Sequence, residues 1–320
     1  MSDTVRRPAM RFLITGVSGF AGAALATQLL AEGHEVFGTT RHLDTATRSH
    51  SPLAADHLFA AALEDAPRLA EIVRVTRPDG VFHLAAFTNP TASFGDPEAT
   101  YRTNLHGSLH VFAATLALGS RCRIVWIGSS DAYGQVRPED LPVTEATLFR
   151  PLSPYAVSKA AADLAAYQWS RTHALDVVRI RPFNHTGPGQ DAQFVCSDFA
   201  RQLVAVERGR QPANIEVGNL DVARDFTDVR DVVRAYVLAF ERGITGEAYN
   251  VCSGVPRTTR EILDALFRLS GVEASVMLRP ERQRRIDVPL LVGSAAKLRA
   301  ATGWAPTISW DTTLGDLLDD

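Results

Sequence analysis

A glycine-rich turn near the amino terminus constrains the fold more than any other feature of this sequence. The turn, Gly16-Val17-Ser18-Gly19-Phe20-Ala21-Gly22, directly follows a short apolar run, Phe12 to Ile14, and opens an amphipathic stretch, Ala21 to Glu32. Glycines in this context permit a tight turn and a close backbone approach to a ligand, and the N–H groups at a helix amino terminus attract a pyrophosphate. The segment therefore predicts the first strand, turn and helix of a dinucleotide-binding α/β domain. A glycine-rich turn that binds nothing is the alternative.

Apolar runs and helical stretches continue to alternate after this turn. The predicted strands are Glu35 to Phe37, Gly80 to Ala85, Arg123 to Ile127 and Asp176 to Arg181, and the predicted helices are Thr100 to Leu118 and Tyr155 to His173. Such alternation implies right-handed crossovers between parallel strands. We therefore expect an α/β fold with a Rossmann-type doubly wound parallel sheet.

Beyond Pro182 the alternation gives way to longer loops rich in Gly, Pro and Asn. Helices are predicted at Ser197 to Arg208, Asp231 to Glu241 and Thr259 to Ser270. This half predicts a smaller carboxy-terminal α/β lobe that covers the sheet edge where the strands end, which is where doubly wound sheets bind ligands. We expect a cofactor-binding domain at 1–182 and a mainly substrate-binding lobe at 183–320, with the chain crossing between them.

Composition excludes several classes of protein. Of the 320 residues, 46% are hydrophobic and 22% are charged, a balance typical of a soluble enzyme and not of a disordered chain or a coiled coil. The net charge of −3 leaves no basic excess for nucleic acid, and no apolar run reaches the ~18–20 residues of a membrane span. Three scattered cysteines and histidines without ligand spacing predict no metal site, no disulfide framework and a cytoplasmic location.

The residues after the second predicted strand bear on the choice of cofactor. NAD-binding proteins usually place an acidic residue here for the ribose diol, whereas this chain has Thr39-Thr40-Arg41. Arg41 can pair with a 2′-phosphate that a carboxylate would repel, so NADP(H) is favoured over NAD(H). A solvated surface arginine is the alternative interpretation.

The segment Tyr155-Ala156-Val157-Ser158-Lys159 places a phenol and an ammonium on one face of a predicted helix. We expect the lysine cation to stabilise the phenolate and lower the pKa of Tyr155, so that the tyrosine can exchange a proton with a carbinol or carbonyl oxygen during hydride transfer. This spacing alone is weak evidence, because a surface Tyr–Lys pair has the same pattern. Ser129 strengthens it, since it follows the strand Arg123 to Ile127 and so lies at the same sheet edge as the glycine turn.

Four segments together resemble the extended short-chain dehydrogenase/reductases, a family that acts mostly on nucleotide sugars. They are the glycine turn, His83-Leu84-Ala85-Ala86, Ser129-Ser130-Asp131-Ala132-Tyr133-Gly134 and Tyr155 to Lys159, and the similarity covers nearly the whole chain. The segments Arg181 to Gln190 and Arg224 to Asp231 are similar to the branch of this family that uses GDP-sugars.

The resemblance implies roles for individual residues. It makes Ser129, Tyr155 and Lys159 the catalytic set. It implies a cofactor site formed by Gly16, Ser18, Gly19, Phe20, Ala21, Gly22, Arg41, Leu84, Ala85, Ala86, Tyr101, Tyr155, Lys159 and His185. It implies a substrate site formed by Ser130, Asp131, Asn184, Val195, Arg224 and Arg285. Further candidates for binding the diphosphate are Arg279, Arg282 and Arg284.

The activity implied by the resemblance is NADPH-dependent reduction of the C4 keto group of GDP-4-dehydro-6-deoxy-D-mannose to GDP-D-rhamnose by a homodimer. A GDP-mannose 4,6-dehydratase, or another nucleotide-sugar dehydratase or epimerase, is the alternative. The dehydratases carry Glu where this chain has Asp131, and a carboxylate that is one methylene shorter reaches less far. A non-enzymatic NADP(H)-binding sensor is a third hypothesis, but such a protein has no use for Ser129, Tyr155 and Lys159 together.

Overall fold

The computed structural model describes residues 8–44, 51–119, 122–282 and 288–320. Strands and helices alternate along most of these residues. The strands are β1 (Arg11–Thr15), β2 (Glu35–Thr40), β3 (Leu58–Ala60), β4 (Gly80–His83), β5 (Arg123–Ile127), β6 (Val177–Pro182), β7 (Asn184–Thr186), β8 (Asn214–Val217), β9 (Ala223–Asp228), β10 (Ala248–Val251), β11 (Pro256–Thr258), β12 (Ser275–Leu278) and β13 (Leu290–Leu291). The helices are α1 (Phe20–Ala31), α2 (Ala66–Thr76), α3 (Pro97–Tyr101), α4 (Gly107–Ala117), α5 (Pro154–Thr172), α6 (Val195–Glu207), α7 (Val229–Arg242), α8 (Thr259–Ser270), α9 (Ala296–Thr302) and α10 (Trp310–Asp319).

Seven parallel strands form the central sheet in the order β3-β2-β1-β4-β5-β6-β10. The chain builds outward from β1 to β3 on one side and from β4 to β10 on the other, so the strand order reverses between β1 and β4. Thr15 and His83, the last residues of these two strands, lie side by side in register. A crevice for a ligand opens beyond such a reversal, at the carboxyl ends of the strands. The predicted Rossmann-type sheet is confirmed.

Side chains of the sheet alternate between two hydrophobic cores, one on each face. On one face, Ile14, Phe82 and Val125 pack with α1 and α7. On the other face, Leu13 and Trp126 pack with α2, α4 and α5. Because both faces are covered, the strands read as continuous apolar runs in the sequence. None of the helices in the described ranges is both long enough and apolar enough to cross a membrane.

A third hydrophobic core forms a smaller lobe in the second half of the chain. Helices α6, α8 and α10 enclose it with β8 and β9. Strand β9 pairs with β7, β11 and β13, and β8 pairs with β12. The second half does not stay in this lobe, because α7 packs on α1 and β10 extends the central sheet beside β6. The chain therefore crosses from one lobe to the other and back.

A buried ion-pair network fixes helix α5 against strand β6. The Asp163 carboxylate on α5 accepts hydrogen bonds from Arg179 and, at 2.9 and 2.8 Å, from Nε and Nη2 of Arg181. All three side chains are buried. A buried charge that loses its partner costs about 3–5 kcal/mol, so this network strongly disfavours any rotation of α5 about its axis.

The predicted helix from Thr100 to Leu118 differs in the structure. The helical path begins earlier, at Pro97, where the Asp96 carboxylate accepts the Ala99 N–H at 2.9 Å. It is then interrupted by a π-helical turn, Arg102–His106, before α4 begins. A π turn inserts an extra residue into the helix and occurs often at functional sites. Asn104 lies in this turn and takes part in the active-site network described below.

Candidate active site

The glycine turn lies where the strand order of the sheet reverses. Gly16 has a φ of +74°, and a Cβ there would lie 2.9 Å from the backbone of Ala85. A Cβ on Gly22 would lie 2.3 Å from the Gly16 carbonyl oxygen. Helix α1 begins after Gly19 without a side-chain cap, so ligand oxygens can bind its first N–H groups. A turn that has no room for a side chain at Gly16 or Gly22, beside an uncapped helix amino terminus, fits the pyrophosphate of a dinucleotide.

Hydroxyl and guanidinium groups surround the carboxyl end of β2. The Ser18 and Thr40 hydroxyls are hydrogen-bonded to each other at 2.9 Å. Arg41 follows directly and is exposed. The strand thus ends on Thr39 and Thr40, and the Arg41 cation follows. A 2′-phosphate placed there would meet hydrogen-bond donors and positive charge.

The other predicted cofactor residues are distributed around the same edge of the sheet. Leu84, Ala85 and Ala86 follow β4 and are half-buried. The ring of His185, on β7, stacks on Phe20 at the start of α1, with ring centroids 6.0 Å apart and 5° between the planes. Burial lowers the pKa of His185, which keeps the imidazole neutral in this stack. Tyr101 is half-buried at the end of α3, a helix that packs against α5.

Ser129, Tyr155 and Lys159 come together at the carboxyl end of β5. Ser129 follows this strand, and its Oγ accepts the Asp131 N–H at 3.1 Å. The Ser129 hydroxyl also lies within hydrogen-bonding reach of the Tyr155 phenol at the start of α5. One turn later, the Lys159 ammonium donates to the Ile127 carbonyl at 2.8 Å. The structure thus brings the three predicted catalytic residues into one group.

Burial affects the two titratable groups of this set in opposite directions. It raises the pKa of Tyr155 above its ordinary value, with a further increase from the Asp131 carboxylate that outweighs the Ser129 hydrogen bond. Burial also lowers the pKa of Lys159 to about 8. The expected lowering of the Tyr155 pKa is therefore wrong, because loss of solvent disfavours the phenolate more than the neighbouring groups favour it. At neutral pH the phenol keeps its proton.

A chain of buried hydrogen bonds runs beneath this group. The Thr15 hydroxyl accepts the Ala85 N–H at 3.2 Å and is bonded to His83 Nδ1 at 2.7 Å. His83 Nε2 is bonded at 3.1 Å to Ser108 Oγ, whose own proton goes to the Asn104 carbonyl at 2.6 Å. Since Ser108 donates to Asn104, His83 must carry its proton on Nε2 and accept the Thr15 proton on Nδ1. The network therefore requires a neutral imidazole.

Asn104 extends this network to the catalytic helix. Its side chain accepts the Phe87 N–H at 2.7 Å and donates to the Phe87 carbonyl at 3.0 Å, which clamps the loop after β4. It also donates to the Ser158 hydroxyl at 2.9 Å, and Ser158 in turn donates to the Tyr155 carbonyl at 2.7 Å. The loop that follows Leu84 to Ala86 and the helix that carries Tyr155 are thus held by one amide.

Four residues at this site have no role predicted from sequence: Asn104, His83, Ser108 and Trp126. His83 is part of a family motif, which by itself implies no contact for its imidazole. A buried polar residue inside an apolar strand was the available signal, because such a side chain needs partners supplied by the fold.

A cleft between the two lobes opens beside Tyr155. Asp131 and Arg224 line it from opposite lobes, together with Pro90, Thr91, Phe94, Gly134, Leu152, Ser153, Ala156, Val288 and Leu291. The Arg224 guanidinium donates from Nη1 to the carbonyls of Ala223 and Val288, at 2.9 and 2.5 Å. The cleft thus presents a carboxylate near the catalytic group and a cation in the smaller lobe.

The remaining predicted substrate residues have different surroundings. Ser130 is buried, Asn184 is half-buried on β7, and Val195 is the first residue of α6. Arg285 and Arg284 lie outside the described residues. Arg279 and Arg282 lie in the smaller lobe. Arg279 donates from Nε and Nη2 to one oxygen of Glu216, Oε1, at 3.0 and 2.7 Å, and Arg282 donates to Asp198 at 2.6 Å. Local carboxylates therefore already balance the charges of these two arginines.

With this geometry established, comparison with known proteins identifies the family. The family described as GDP-mannose 4,6 dehydratase matches residues 13–317. The chain belongs to this family. The extended short-chain dehydrogenase/reductase assignment is thereby confirmed, and the relatives of the chain are oxidoreductases, dehydratases and epimerases of nucleotide sugars.

Individual relatives cover the chain from end to end. GDP-6-deoxy-D-mannose reductase of Pseudomonas aeruginosa is 37% identical over 97% of this chain and 96% of its own length. GDP-mannose 4,6-dehydratase of Sinorhizobium fredii is 29% identical over 91% of both proteins. Among solved structures, RMD from Pseudomonas aeruginosa complexed with NADPH superposes with a TM-score of 0.85 at 36% identity, covering 97% of this chain and 98% of the other.

The neutral state of His83 predicts a pH dependence of stability. Burial and the nearby Lys159 charge lower the pKa of His83 to about 3 in the folded protein, whereas an unfolded histidine titrates near ~6.5. The unfolded chain binds a proton that the folded protein does not bind, so this contribution to stability falls as the pH drops from about 6.5 toward 3. The slope is about 1.4 kcal/mol per pH unit once the unfolded histidine is charged.

Urea unfolding of wild type and His83→Gln between pH 7 and pH 5 measures this contribution. We expect the free energy of unfolding of the variant to depend less steeply on pH, by about 1 kcal/mol per pH unit. His173→Gln, at an exposed position on the end of α5, is the matched control and should keep the wild-type slope. Equal slopes for wild type and His83→Gln would contradict a neutral buried His83.

Proposed function

We propose that this protein reduces the C4 keto group of GDP-4-dehydro-6-deoxy-D-mannose with NADPH to give GDP-D-rhamnose. The observation that carries the proposal is the buried, protonated Tyr155 phenol next to Ser129 at the edge of the inter-lobe cleft. Reduction of a ketone needs a proton donor at the oxygen, and a phenol that stays neutral is in the correct state. Similarity to the Pseudomonas aeruginosa reductase supports this substrate.

Each catalytic side chain has a distinct role in the proposed reaction. Ser129 orients the keto oxygen toward Tyr155, and Tyr155 transfers its proton to that oxygen as C4 becomes a carbinol. The Lys159 ammonium lies one turn along the same helix, so its positive charge stabilises the phenolate that remains. When bound, the nicotinamide supplies the hydride that completes the reduction. Gly16, Gly22 and the start of α1 would hold its pyrophosphate.

The diphosphate of the substrate would bind in the smaller lobe. Arg224 projects into the cleft, and guanidinium forms bidentate hydrogen bonds with phosphate oxygens. Asn184, the amino terminus of α6 at Val195, and Arg285 complete the proposed contacts. The sugar then spans from Arg224 to Tyr155, with Ser130 and Asp131 beside the reacting carbon.

A dehydratase is the second candidate, favoured by the family description and by dehydratase relatives at 29% identity. That reaction also requires an acid and a base that expel the C6 hydroxyl. Asp131 is the carboxylate that faces the cleft beside Tyr155, and it is one methylene shorter than the Glu of the dehydratases. A misplacement of about 1 Å can cost ~100-fold in rate, so Asp131 favours reduction over elimination.

The reaction itself provides the first test. The protein is incubated with GDP-4-dehydro-6-deoxy-D-mannose and NADPH, oxidised cofactor is quantified, and the product is identified by NMR. We expect one NADPH to be consumed for each sugar reduced. A dehydratase or epimerase would regenerate its cofactor, and a non-enzymatic sensor would convert nothing, so either result would refute the proposal.

Tyr155→Phe tests the proton donor. Loss of a general acid typically costs about 10²–10⁴-fold in rate, and we expect a fall of that size in kcat with NADPH binding retained. Tyr167→Phe removes a hydroxyl from a tyrosine on the same helix that does not line the cleft, and it should leave kcat unchanged. Near-wild-type reduction by Tyr155→Phe would exclude Tyr155 as the donor.

Arg41 is proposed to favour NADP(H) over NAD(H). Arg41→Ala should weaken binding of NADPH about 10–100-fold, because a charged contact with the 2′-phosphate is lost, while NADH binding should change less than about twofold. Arg74→Ala, an exposed arginine on α2, serves as the control. Titration calorimetry with both cofactors makes the comparison. Equal losses for NADPH and NADH would show that Arg41 does not read the 2′-phosphate.

We propose that the enzyme is a homodimer formed through α4 and α5. These helices pack side by side, and each exposes apolar side chains. These side chains are Leu116, 39% exposed, Val157, 38% exposed, Leu164, 60% exposed, and Tyr167, 43% exposed. Val157 and Leu164 are two helical turns apart, which places them on the same face. Exposed apolar side chains on one helix face are typical of an interface, and a second copy of the chain is the proposed occupant.

Leu164→Glu tests this interface. A carboxylate among these apolar side chains should convert a particle of twice the chain mass of 34.8 kDa into one of 34.8 kDa, measured by light scattering after gel filtration. Leu148→Glu, at a loop position that is 71% exposed, should leave the mass unchanged. If the two variants have the same mass as wild type, or if wild type is already monomeric, the interface is wrong.

We propose a cytoplasmic location on the basis of the cysteines. Cys122, Cys196 and Cys252 are free and buried. Burial raises the pKa of Cys122 and of Cys196 to about 12, so both remain thiols at neutral pH. A chain with free thiols and no disulfide among them suits a reducing compartment.

A further inference from the structure

Lysine is rare in this chain, and one of its two lysines is in the active site. The sequence has 33 lysines and arginines together, and the lysines are Lys159 and Lys297. Lys297 is half-buried and pairs with Glu247 at 2.7 Å. Lys159 is 6% exposed, and the acceptor that the described residues offer its ammonium is the Ile127 carbonyl. The ammonium thus lies in a buried site without a carboxylate hydrogen-bonded to it.

An indole ring faces this ammonium. Lys159 Nζ lies 5.4 Å from the centroid of the Trp126 ring, within the range in which a cation is attracted to an aromatic face. Trp126 belongs to β5 and is 1% exposed. The attraction is stronger when both groups are removed from water, as they are here. Tryptophan is also the most effective of the aromatic side chains in this role.

Two contacts fix the orientation of the indole. Its Nε1–H donates to Ser108 Oγ at 3.1 Å, the same oxygen that accepts the His83 Nε2 proton. On the other side, the chain turns closely at Gly128, where a Cβ would lie 2.8 Å from the six-membered ring of Trp126. The ring therefore has little freedom to turn away from Lys159. Ser108 connects this position to the network that also holds the catalytic helix.

We propose that Trp126 is a positioning residue, whose indole face, oriented by Ser108, holds the Lys159 ammonium in its charged form beside Tyr155. The consequence for turnover rests on the proposed reductase function, in which the lysine charge stabilises the phenolate. The interaction itself does not depend on which sugar is reduced. Neither the glycine turn nor the spacing of Tyr155 and Lys159 in the sequence predicts this role for Trp126.

Lys159 has titratable and charged neighbours on its own helix and on the strands and loops packed against it. Asp163 follows it by one turn on α5, and its carboxylate is bound to Arg179 and Arg181. His83 faces it from β4 and is neutral, and Tyr155 precedes it by one turn in its own helix. Beyond Tyr155 lie Asp131, in the loop after β5, and Tyr236, on α7. Burial lowers the pKa of Lys159 to about 8, so the charged form is only modestly favoured at neutral pH. Weakening the indole contact should lower this pKa further, since the indole stabilises only the ammonium.

The scarcity of lysine allows a direct measurement. Growth on lysine labelled with ¹³C at Cε gives two NMR signals in this chain of 320 residues, and Lys297→Arg assigns them. Titration of the Lys159 signal reports its pKa without substrate or cofactor. Lys297 is an internal reference in the same sample, since it lies over the Tyr249 ring at 5.1 Å and far along the chain from Trp126.

Fluorinated tryptophans at position 126 alter the interaction with little change in shape. One, two and three fluorines withdraw electron density from the indole face while the ring and its N–H are retained. We expect the pKa of Lys159 to fall stepwise, by about one pH unit over the series, which is a tenfold change in the ratio of charged to neutral lysine. Fluorination of Trp169, a partly buried tryptophan on α5 that stacks on His173, is the matched control. A Lys159 pKa that is constant across the Trp126 series would overturn the proposal.

Substitution gives an independent comparison. Trp126→Phe keeps a weaker aromatic face and Trp126→Leu keeps none, so the Lys159 pKa should decrease in the order wild type, Phe, Leu. Ser108→Ala should lower it as well, because the indole loses its anchor. If Trp126→Leu does not fold, the fluorinated series decides alone. An equal pKa in Trp126→Phe and Trp126→Leu would contradict an aromatic contribution.

Turnover provides the last test. Lysine is charged below its pKa, so kcat for reduction should decline above the Lys159 pKa, and this decline should move to lower pH in the fluorinated series. KM for the sugar should stay within about twofold, because Trp126 does not line the cleft. If the NMR titration shifts but no sugar is reduced, the proposed function fails and the Trp126 contact stands. If reduction proceeds and the titration does not shift, the Trp126 contact fails and the function stands.

Discussion

The neutral imidazole of His83 is the group on which the arrangement of the active site depends. Through Thr15 it reaches the end of β1, where the glycine turn begins, and through Ser108 it reaches the Asn104 carbonyl in the π turn. The hydrogen bonds from Thr15 through His83 and Ser108 to Asn104 all run in one direction, so each donor fixes the proton position of the group that accepts from it. A charged imidazolium would break the sequence of donors and acceptors and would face the Lys159 cation in a buried site. The positions of the glycine turn and of the catalytic helix thus both depend on one tautomer of His83.

A buried carboxylate, Asp225, joins three segments of the smaller lobe through hydrogen bonds. The buried Asp225 carboxylate accepts the N–H groups of Ser253, Gly254 and Gly293 at 2.7, 2.9 and 3.3 Å, together with the Ser253 hydroxyl at 2.6 Å. These bonds join β9 to the loop after β10 and to the chain after β13. Arg224 precedes Asp225, so these bonds also anchor the strand that carries the cation lining the cleft.

The central sheet and the catalytic group were predictable from sequence because local patterns encode them. The glycine turn, the alternation of apolar runs and the Tyr155 to Lys159 spacing each depend on residues within one or two helical turns. The π turn at Arg102–His106 was not predictable, because an inserted residue leaves no periodic signal in a short, mostly apolar helix. The direction of the Tyr155 pKa was also missed, since desolvation depends on packing between distant segments. The pairing of Arg279 with Glu216 was not predictable either, because the two residues are far apart in the sequence and meet only in the fold.

Burial disfavours the charged form of both titratable groups in this site, the Tyr155 phenolate and the Lys159 ammonium. It raises the pKa of Tyr155 and lowers that of Lys159, although in water the two groups have similar pKa values. The ammonium consequently gains most from its environment when the phenol has given up its proton, because the two opposite charges then meet with little water to screen them. An arginine in place of Lys159 would stay charged regardless of its surroundings, and its planar fork would not fit the single Ile127 carbonyl. This explains why a chain that elsewhere uses arginine almost without exception has a lysine here, and why an electron-rich ring is packed beneath it.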